Sequence, residues 1–201
     1  APYAFDFNLS GAVNVGRTTF ETDSLPPGWA ESCNRMDVLW VPSTFNLESF
    51  ARAGVRPEKL RVVPEPVGRH FRPDAPPLEL PFSAGFKFLS VFDWSDRKGW
   101  KFLVEAFVRE FAPGEDVALV LKTSRLGTLS RRHPESDLVD FLARMGRGRG
   151  DHPPIYLLNG YIETARLPGL YTACDAFVLP SRGEGWVRPY LEAMACGLPT
   201  I

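Results

Sequence analysis

The feature that most restricts what this chain can fold into is its final stretch, Phe177-Val-Leu-Pro-Ser-Arg-Gly-Glu-Gly-Trp-Val-Arg-Pro-Tyr-Leu-Glu-Ala-Met-Ala-Cys-Gly-Leu-Pro-Thr-Ile201. Residues 176–179 are a short apolar run of strand formers, stopped by Pro180 and Ser181. Residues 182–187 hold two glycines and cannot continue that strand. Pro189 suits the first position of a helix, Gly197-Leu-Pro199 ends it, and a second strand then begins. Strand, helix and strand in one passage demand a parallel sheet. In such sheets ligands sit beyond the C-terminal ends of the strands, where this glycine-bearing loop lies. The helix start that follows offers unpaired backbone N–H groups and a positive dipole end, both suited to phosphate.

Two carboxylates bracket the turn, Glu184 in the loop and Glu192 in the first turns of the helix, seven residues apart in between. A carboxylate beside a phosphate site does not serve to attract the anion. It is better suited to accept hydrogen bonds from hydroxyls, so two of them flanking a diphosphate could hold the two sugars of a nucleotide sugar. The spacing alone is weak evidence, and its context has to carry the meaning.

The rest of the chain keeps the same alternation. Residues 12–20 read as a strand and residues 21–28 as a turn-rich loop. A short helix is expected over 29–36, and a buried strand over 38–42. Ser43 or Thr44 can cap a helix through Ala53 that stops at Gly54, and residues 61–63 form another strand. Residues 72–84 are rich in proline and read as a linker. A second unit follows: a strand over 86–92, a loop over 93–99, and a helix to about Phe111 with Trp100, Leu103, Val104, Phe107 and Phe111 at helical spacing. Then come a strand over 117–120, a loop over 126–134, a helix over 136–145, a turn over 146–150 and a strand over 155–158. Residues 163–174 are helical in part, with Pro168 expected to interrupt. The fold class is therefore α/β with parallel pairing.

Composition excludes several classes. The net charge of −1 and the ordinary charged fraction of 23% argue against a nucleic-acid or charged-membrane surface. No apolar run approaches a membrane span, and no signal peptide is visible. Cys33, Cys174 and Cys196 lie far apart without metal-ligand spacing and read as reduced structural thiols, with a cytoplasmic location expected. The chain starts without Met and ends as a strand begins, so a fragment is expected.

The final stretch resembles the Glu-x7-Glu motif of the retaining, GT-B-fold glycosyltransferases related to glycogen and sucrose synthases, the glycosyl transferases group 1. The family pattern runs Pro-Ser-x-x-Glu-Gly-Phe-Gly-Leu-Pro-x-Leu-Glu-Ala-Met-Ala-Cys-Gly-x-Pro-Val-Ile, and this chain follows it from Pro180 to Ile201 with few departures. The earlier part resembles the end of the family's N-terminal domain at Val41-Pro-Ser43, Gly54-Val55, residues 59–64, Phe71 and Pro73. Pro66 and Gly68 replace the usual Gly and Asp of the crossover. The resemblance implies a GT-B arrangement: residues 1–74 as the end of an N-terminal, acceptor-side Rossmann-like domain, and residues 75–201 as a truncated donor-binding domain.

It also implies site residues. Lys98-Gly99 matches the family Lys-Gly that binds the donor phosphates. The family Arg five or six residues earlier falls on Phe92 or Asp93 here, so that cation is absent or supplied by Arg97 or another residue. Gly183, Glu184, Gly185 and Trp186 match the residues that line the donor sugar, the backbone N–H groups acting with the carboxylate. Val187 replaces a Gly and resists positive φ, while Arg188 replaces a Leu and either adds a cation near the phosphates or faces solvent. Glu192 matches the glutamate that holds the ribose hydroxyls. Gly160-Tyr161-Ile162 matches the segment along the nucleobase. Glu21 is a candidate near the reacting centre, in a segment where the family often has a histidine. His70, His133 and His152 stand alone in loops, and Arg131-Arg132, Arg147 and Arg149 read as solvated charges.

The expected catalytic pair is Lys98, supporting the departing diphosphate, and Glu184, orienting the sugar. The partners are a nucleotide-sugar donor and an unidentified hydroxyl acceptor. No metal or other cofactor is expected, and there is no Asp-x-Asp motif. Two alternatives stay open: a nucleotide-sugar-binding module without turnover, and a Rossmann-like domain for another ligand. The second lacks a Gly-x-Gly-x-x-Gly after a strand.

Overall fold

A computed structural model of the chain describes residues 11–124 and 133–201. Seven strands and six α-helices alternate within each of two stretches of these residues, and the strands form two parallel sheets. The chain divides into two compact units, Ala1–Pro66 with Glu184–Val187, and Val67–Gly183 with Arg188–Ile201.

In the first unit β1 (Val15–Arg17), β2 (Val38–Val41) and β3 (Leu60–Val62) pair in parallel in that order. β1 is shorter than the strand expected over 12–20. The backbone N–H of Asn14 turns to the Asp37 carboxylate (2.7 Å), and after Thr18, whose N–H reaches Trp40 O (3.2 Å), Thr19 turns to side-chain partners. α1 (Trp29–Asn34) and α2 (Thr44–Arg52) close the crossovers. Ser43 caps α2, its Oγ accepting from Asn46 N at 3.2 Å. Cys33, Leu39, Val41, Phe50, Val55 and Leu60 form the core, with Phe20, Leu25 and Leu47 packed on it.

In the second unit the sheet runs β6 (Ile155–Leu158), β5 (Val117–Ser124), β4 (Phe86–Asp93), β7 (Ala176–Phe177), all parallel. Beyond β7, Phe177 bridges to Thr200. β5 runs four residues past its expected end because its whole length pairs with β4, Asp93 opposite Ser124. Adjacent residues of a strand face opposite ways, and Phe88 packs on Phe107 and Phe111 of α3 (Trp100–Glu110). Phe177, in register with Leu89, therefore faces the other side, where it meets Tyr171 of α5 (Leu167–Thr172) and Tyr190 of α6 (Arg188–Ala195). α4 (Pro134–Arg144) joins α3 through Phe141 on Trp100. The sheet is thus covered on both faces, which explains its near-continuous apolar strands.

Three expectations are corrected. Pro168 does not interrupt a helix: α5 begins at Leu167, so proline sits in the first turn, where no intrahelical N–H is needed. Pro189 is the second residue of α6 rather than the first. Residues 72–84 are not a free tether. Leu78 N donates to Gly169 O (2.7 Å), Thr172 Oγ1 donates to Ala75 O (3.0 Å), and Phe82 stacks on Tyr156. The loop expected over 126–134 lies almost wholly outside the described residues, as do Arg131 and Arg132.

Candidate functional site

Strand order reverses at β4. The chain leaves it on one side through β5 and β6, then crosses to β7 on the other. The loops after β4 and β7 therefore leave the sheet side by side, at the switch point where open α/β sheets hold ligands.

Both loops are locked together within the second unit. Arg182 N donates to Arg97 O (2.8 Å), Ser181 Oγ donates to the same carbonyl (3.3 Å), and the Arg97 guanidinium donates to Gly183 O. Gly99 has φ 71°, and a Cβ built on it would lie 1.9 Å from Pro180 O. Only glycine lets the two backbones approach this closely. Lys98 ends the 3-10 turn Asp96–Lys98 and is 8% exposed, unlike an ordinary surface lysine. On the far side the turn is anchored by Trp94, which stacks on Trp100 and whose Nε1 donates to Asp137 Oδ2 (3.0 Å).

Glu192 is 8% exposed, one turn into α6. The hydroxyl of Tyr171, fully buried, donates to its Oε2 at 2.7 Å. Burial, and then the neighbouring Glu192 charge, push the Tyr171 phenol far above its ordinary range, so the hydroxyl keeps its proton and remains a donor. The other oxygen, Oε1, lies 3.8 Å from the Arg188 guanidinium, which is 68% exposed. Arg188 thus faces solvent while remaining within reach of Glu192.

Glu184, Gly185, Trp186 and Val187 pack with the first unit. Thr19 Oγ1 lies 3.0 Å from Gly185 O and 3.2 Å from Asn46 Oδ1, and its single proton can serve only one of them at a time. Among the described residues no side chain bears a positive φ except glycine, so Val187 sits in ordinary backbone. Among the described residues, Trp186 Nε1 is inaccessible to solvent and finds no hydrogen-bond partner. Glu21 is exposed in the loop after β1.

Gly160, Tyr161 and Ile162 follow β6, two strands from β4 and hence roughly 10 Å across the sheet. Tyr161 is 88% exposed. The structure therefore brings Arg97, Lys98 and Gly183 together, pairs Arg188 with Glu192, and sets the 160–162 segment further along the same edge. At the position of the absent arginine, Phe92 is buried against Trp94 and Asp93 is exposed. The histidines are not all solitary: His133 Nε2 lies 3.3 Å from Asn159 Nδ2, and His70 stacks on Phe71.

Sequence reasoning missed Tyr171, Thr19 and Lys122. Tyr171 reads as one more apolar helix position, and nothing near it in the chain marks its partner. Lys122 did leave a signal, a charge inside an otherwise apolar strand. It is half-buried at the C-terminal end of β5, and burial lowers its pKa while Asp93 acts in the opposite sense. Among the described residues no group of three or more His, Cys, Asp or Glu is placed to hold a metal ion. No helix among them is long and apolar enough to cross a membrane.

The chain can now be set beside known proteins. The sequence pattern of the glycosyl transferases group 1 matches residues 85–201, more than half of the chain. The Escherichia coli O-antigen chain mannosyltransferase B is 50% identical over 42 residues, 21% of this chain and 11% of that protein. The Agrobacterium fabrum mannosylfructose-phosphate synthase is 46% identical over 43 residues, 21% of this chain and 10% of that protein. Among solved structures, Anabaena HepE in complex with UDP and glucose superposes with a TM-score of 0.67 at 19% identity, covering 92% of this chain and 51% of that one. Sucrose-phosphate synthase from Thermosynechococcus elongatus does so with a TM-score of 0.66 at 21% identity, covering 85% and 41%. At such identities the likeness establishes the fold, that of the GT-B glycosyltransferases. The chain spans about half the length of these solved structures. With its switch-point loops and its closing motif accounted for, this chain belongs to the glycosyl transferases group 1 family.

Proposed function

We propose that the chain supplies the donor-binding part of a retaining glycosyltransferase, which moves a sugar from a nucleotide diphospho-sugar to an acceptor hydroxyl. The bond from the anomeric carbon to the diphosphate breaks, and a bond to the acceptor oxygen forms on the same face. The acceptor proton passes to the departing diphosphate or to water. Lys98 and the N–H groups at the start of α6 support the charge that develops on the diphosphate. Glu184 orients the sugar hydroxyls, Glu192 holds the ribose, and residues 160–162 lie along the base. The reaction runs without a metal ion.

One observation carries this reading. A lysine is buried at the switch point by a backbone clamp that only Gly99 permits, beside a helix whose buried Glu192 is already oriented by Tyr171. The complexes of HepE with UDP-glucose, and with UDP and glucose, support a nucleotide-sugar ligand. The mannosyltransferase among the relatives makes mannose a sugar worth testing beside glucose.

The test is the melting temperature of the full-length protein and of its Glu192→Ala variant with UDP, GDP, ADP and their sugars. A ligand at ~100 times its dissociation constant stabilises by about 2.7 kcal/mol, roughly 5–10 °C for a domain of this size. One base should give that shift and Glu192→Ala should lose it. A full-length protein that responds to none of them would sink the reading. Retention is read from the anomeric configuration of the product, and metal independence from turnover in chelator.

A second reading, binding without turnover, is favoured by the uncharged Phe92 and the acidic Asp93 at the position of the missing cation. Donor binding with neither transfer nor hydrolysis would establish it.

A further inference from the structure

Lys122 is a charge inside an otherwise apolar strand, and its own surroundings do not account for it. An ammonium carries three N–H donors. Among the described residues it meets one hydrogen-bond acceptor, Thr123 O at 3.0 Å, the carbonyl of the next residue. The acid that acts on it is Asp93, exposed at the end of β4. Burial outweighs that attraction and lowers the lysine's pKa, so the ammonium is desolvated rather than extended into water.

The sheet places this lysine beside the candidate site. In the parallel register Lys122 stands opposite Val91 of β4 on one side and Leu158 of β6 on the other. Val91 shares its face with Leu89 and hence with Phe177, the face on which Tyr171 holds Glu192. Leu158 is two residues before Gly160, where the segment 160–162 leaves the sheet. Lys122 therefore lies at the ligand-facing end of the sheet, one strand (roughly 5 Å) from the one that carries residues 160–162.

We infer that the Lys122 ammonium donates to a ring carbonyl of the donor's nucleobase, and so selects bases with an oxygen where adenine and cytosine carry an amino group. The inference rests on the nucleotide-sugar reading above and deepens it, adding to the backbone along the base a side chain that chooses among bases. An ammonium can only donate. The 4-oxygen of uracil and the 6-oxygen of guanine accept, whereas the amino groups of adenine and cytosine donate from the same positions and would meet Lys122 donor to donor. A neutral carbonyl also suits the site better than a phosphate, because the Asp93 carboxylate that attracts Lys122 would repel a diphosphate.

The experiment measures dissociation constants of UDP, GDP, CDP and ADP for the full-length wild-type protein, Lys122→Met and Lys122→Gln, with the urea midpoint of each free protein. The wild type should bind UDP or GDP roughly tenfold or more tightly than CDP and ADP. Lys122→Met keeps the apolar stem and removes the donor. It should lose about 10- to 100-fold for the preferred base and little for the amino bases, with a urea midpoint unchanged or higher. Lys122→Gln, whose amide can turn to donate or to accept, should narrow the gap between the bases. A wild-type preference for CDP or ADP overturns the inference. So does an equal loss for all four nucleotides in Lys122→Met, which would place the contact on the ribose or the phosphates. If the wild type binds UDP or GDP and Lys122→Met binds them equally well, the inference fails alone. If the wild type binds none of the four, it fails together with the donor reading.

Discussion

Gly99→Ala tests the physical basis of the switch-point clamp, and the chain supplies its own control. Gly99 and Gly146 have nearly the same left-handed backbone, φ 71° and 70°. A Cβ at Gly146 would meet nothing within 4 Å, whereas one at Gly99 would lie 1.9 Å from Pro180 O. Alanine at either position bears the left-handed penalty of about 1 kcal/mol. At Gly99 it must also push the Pro180 carbonyl away by more than an ångström, because real Cβ atoms essentially never come within 3.0 Å of such a neighbour. That displacement pulls on the Arg182 N–H and Ser181 hydroxyl, both donating to Arg97 O. At about 0.5–1.5 kcal/mol for each bond lost, the total for Gly99→Ala reaches roughly 2–4 kcal/mol. Thermal unfolding of the two variants should show a drop of about 2–4 °C for Gly146→Ala and roughly 4–16 °C for Gly99→Ala. Equal drops would refute the close-approach argument and leave backbone conformation as the sole reason for glycine at 99.

Tyr171→Phe should cost about 1.5–3 kcal/mol, the worth of a buried hydrogen bond to a charged group, and lower the urea midpoint accordingly; a neutral result would mean Glu192 is held by other means. Burial pushes the Cys33 thiol up to about 11 and Cys174 up to about 12 from the ordinary 9.0. At pH 8 Cys33 should therefore alkylate on the order of 100-fold, and Cys174 on the order of 1,000-fold, more slowly in the native than in the unfolded chain, read by mass spectrometry. Because the unfolded thiols ionise first, their contribution to stability is lost as pH rises from 9 toward those values. For Lys122 the sign is opposite. Its pKa is lowered on folding, so the unfolded state binds more protons and stability rises with pH as the native lysine loses its charge. Lys122→Met should raise the urea midpoint at neutral pH, and a fall would show that the attraction to Asp93 outweighs the burial.

Much of the fold was legible because it depends on neighbours a few residues apart. The apolar run at 155–158 became β6 with those bounds, Ser43 capped α2, and the helical spacing from Trp100 placed α3 against Phe88. The crossover of Phe177–Ile201 requires parallel pairing, and Phe177 bridges Thr200 in parallel. Lys98-Gly99 and the two glutamates were visible as a motif, but their physical state was not. That Lys98 is buried was not visible either, and that Glu192 leans on Tyr171 and that Gly99 must be glycine for contact as well as conformation depend on residues 21 and 81 positions apart. The same holds where expectation failed: Pro168 looked like a helix breaker until the helix start was located, and the proline-rich 72–84 segment looked free until α5 supplied partners for its backbone. By itself the sequence determined the order and type of the elements, because periodicity and turn chemistry are local. Only the tertiary structure decided which side chains are desolvated and what they hold, because hydrogen-bond partners and close approaches come from segments that the chain brings together last.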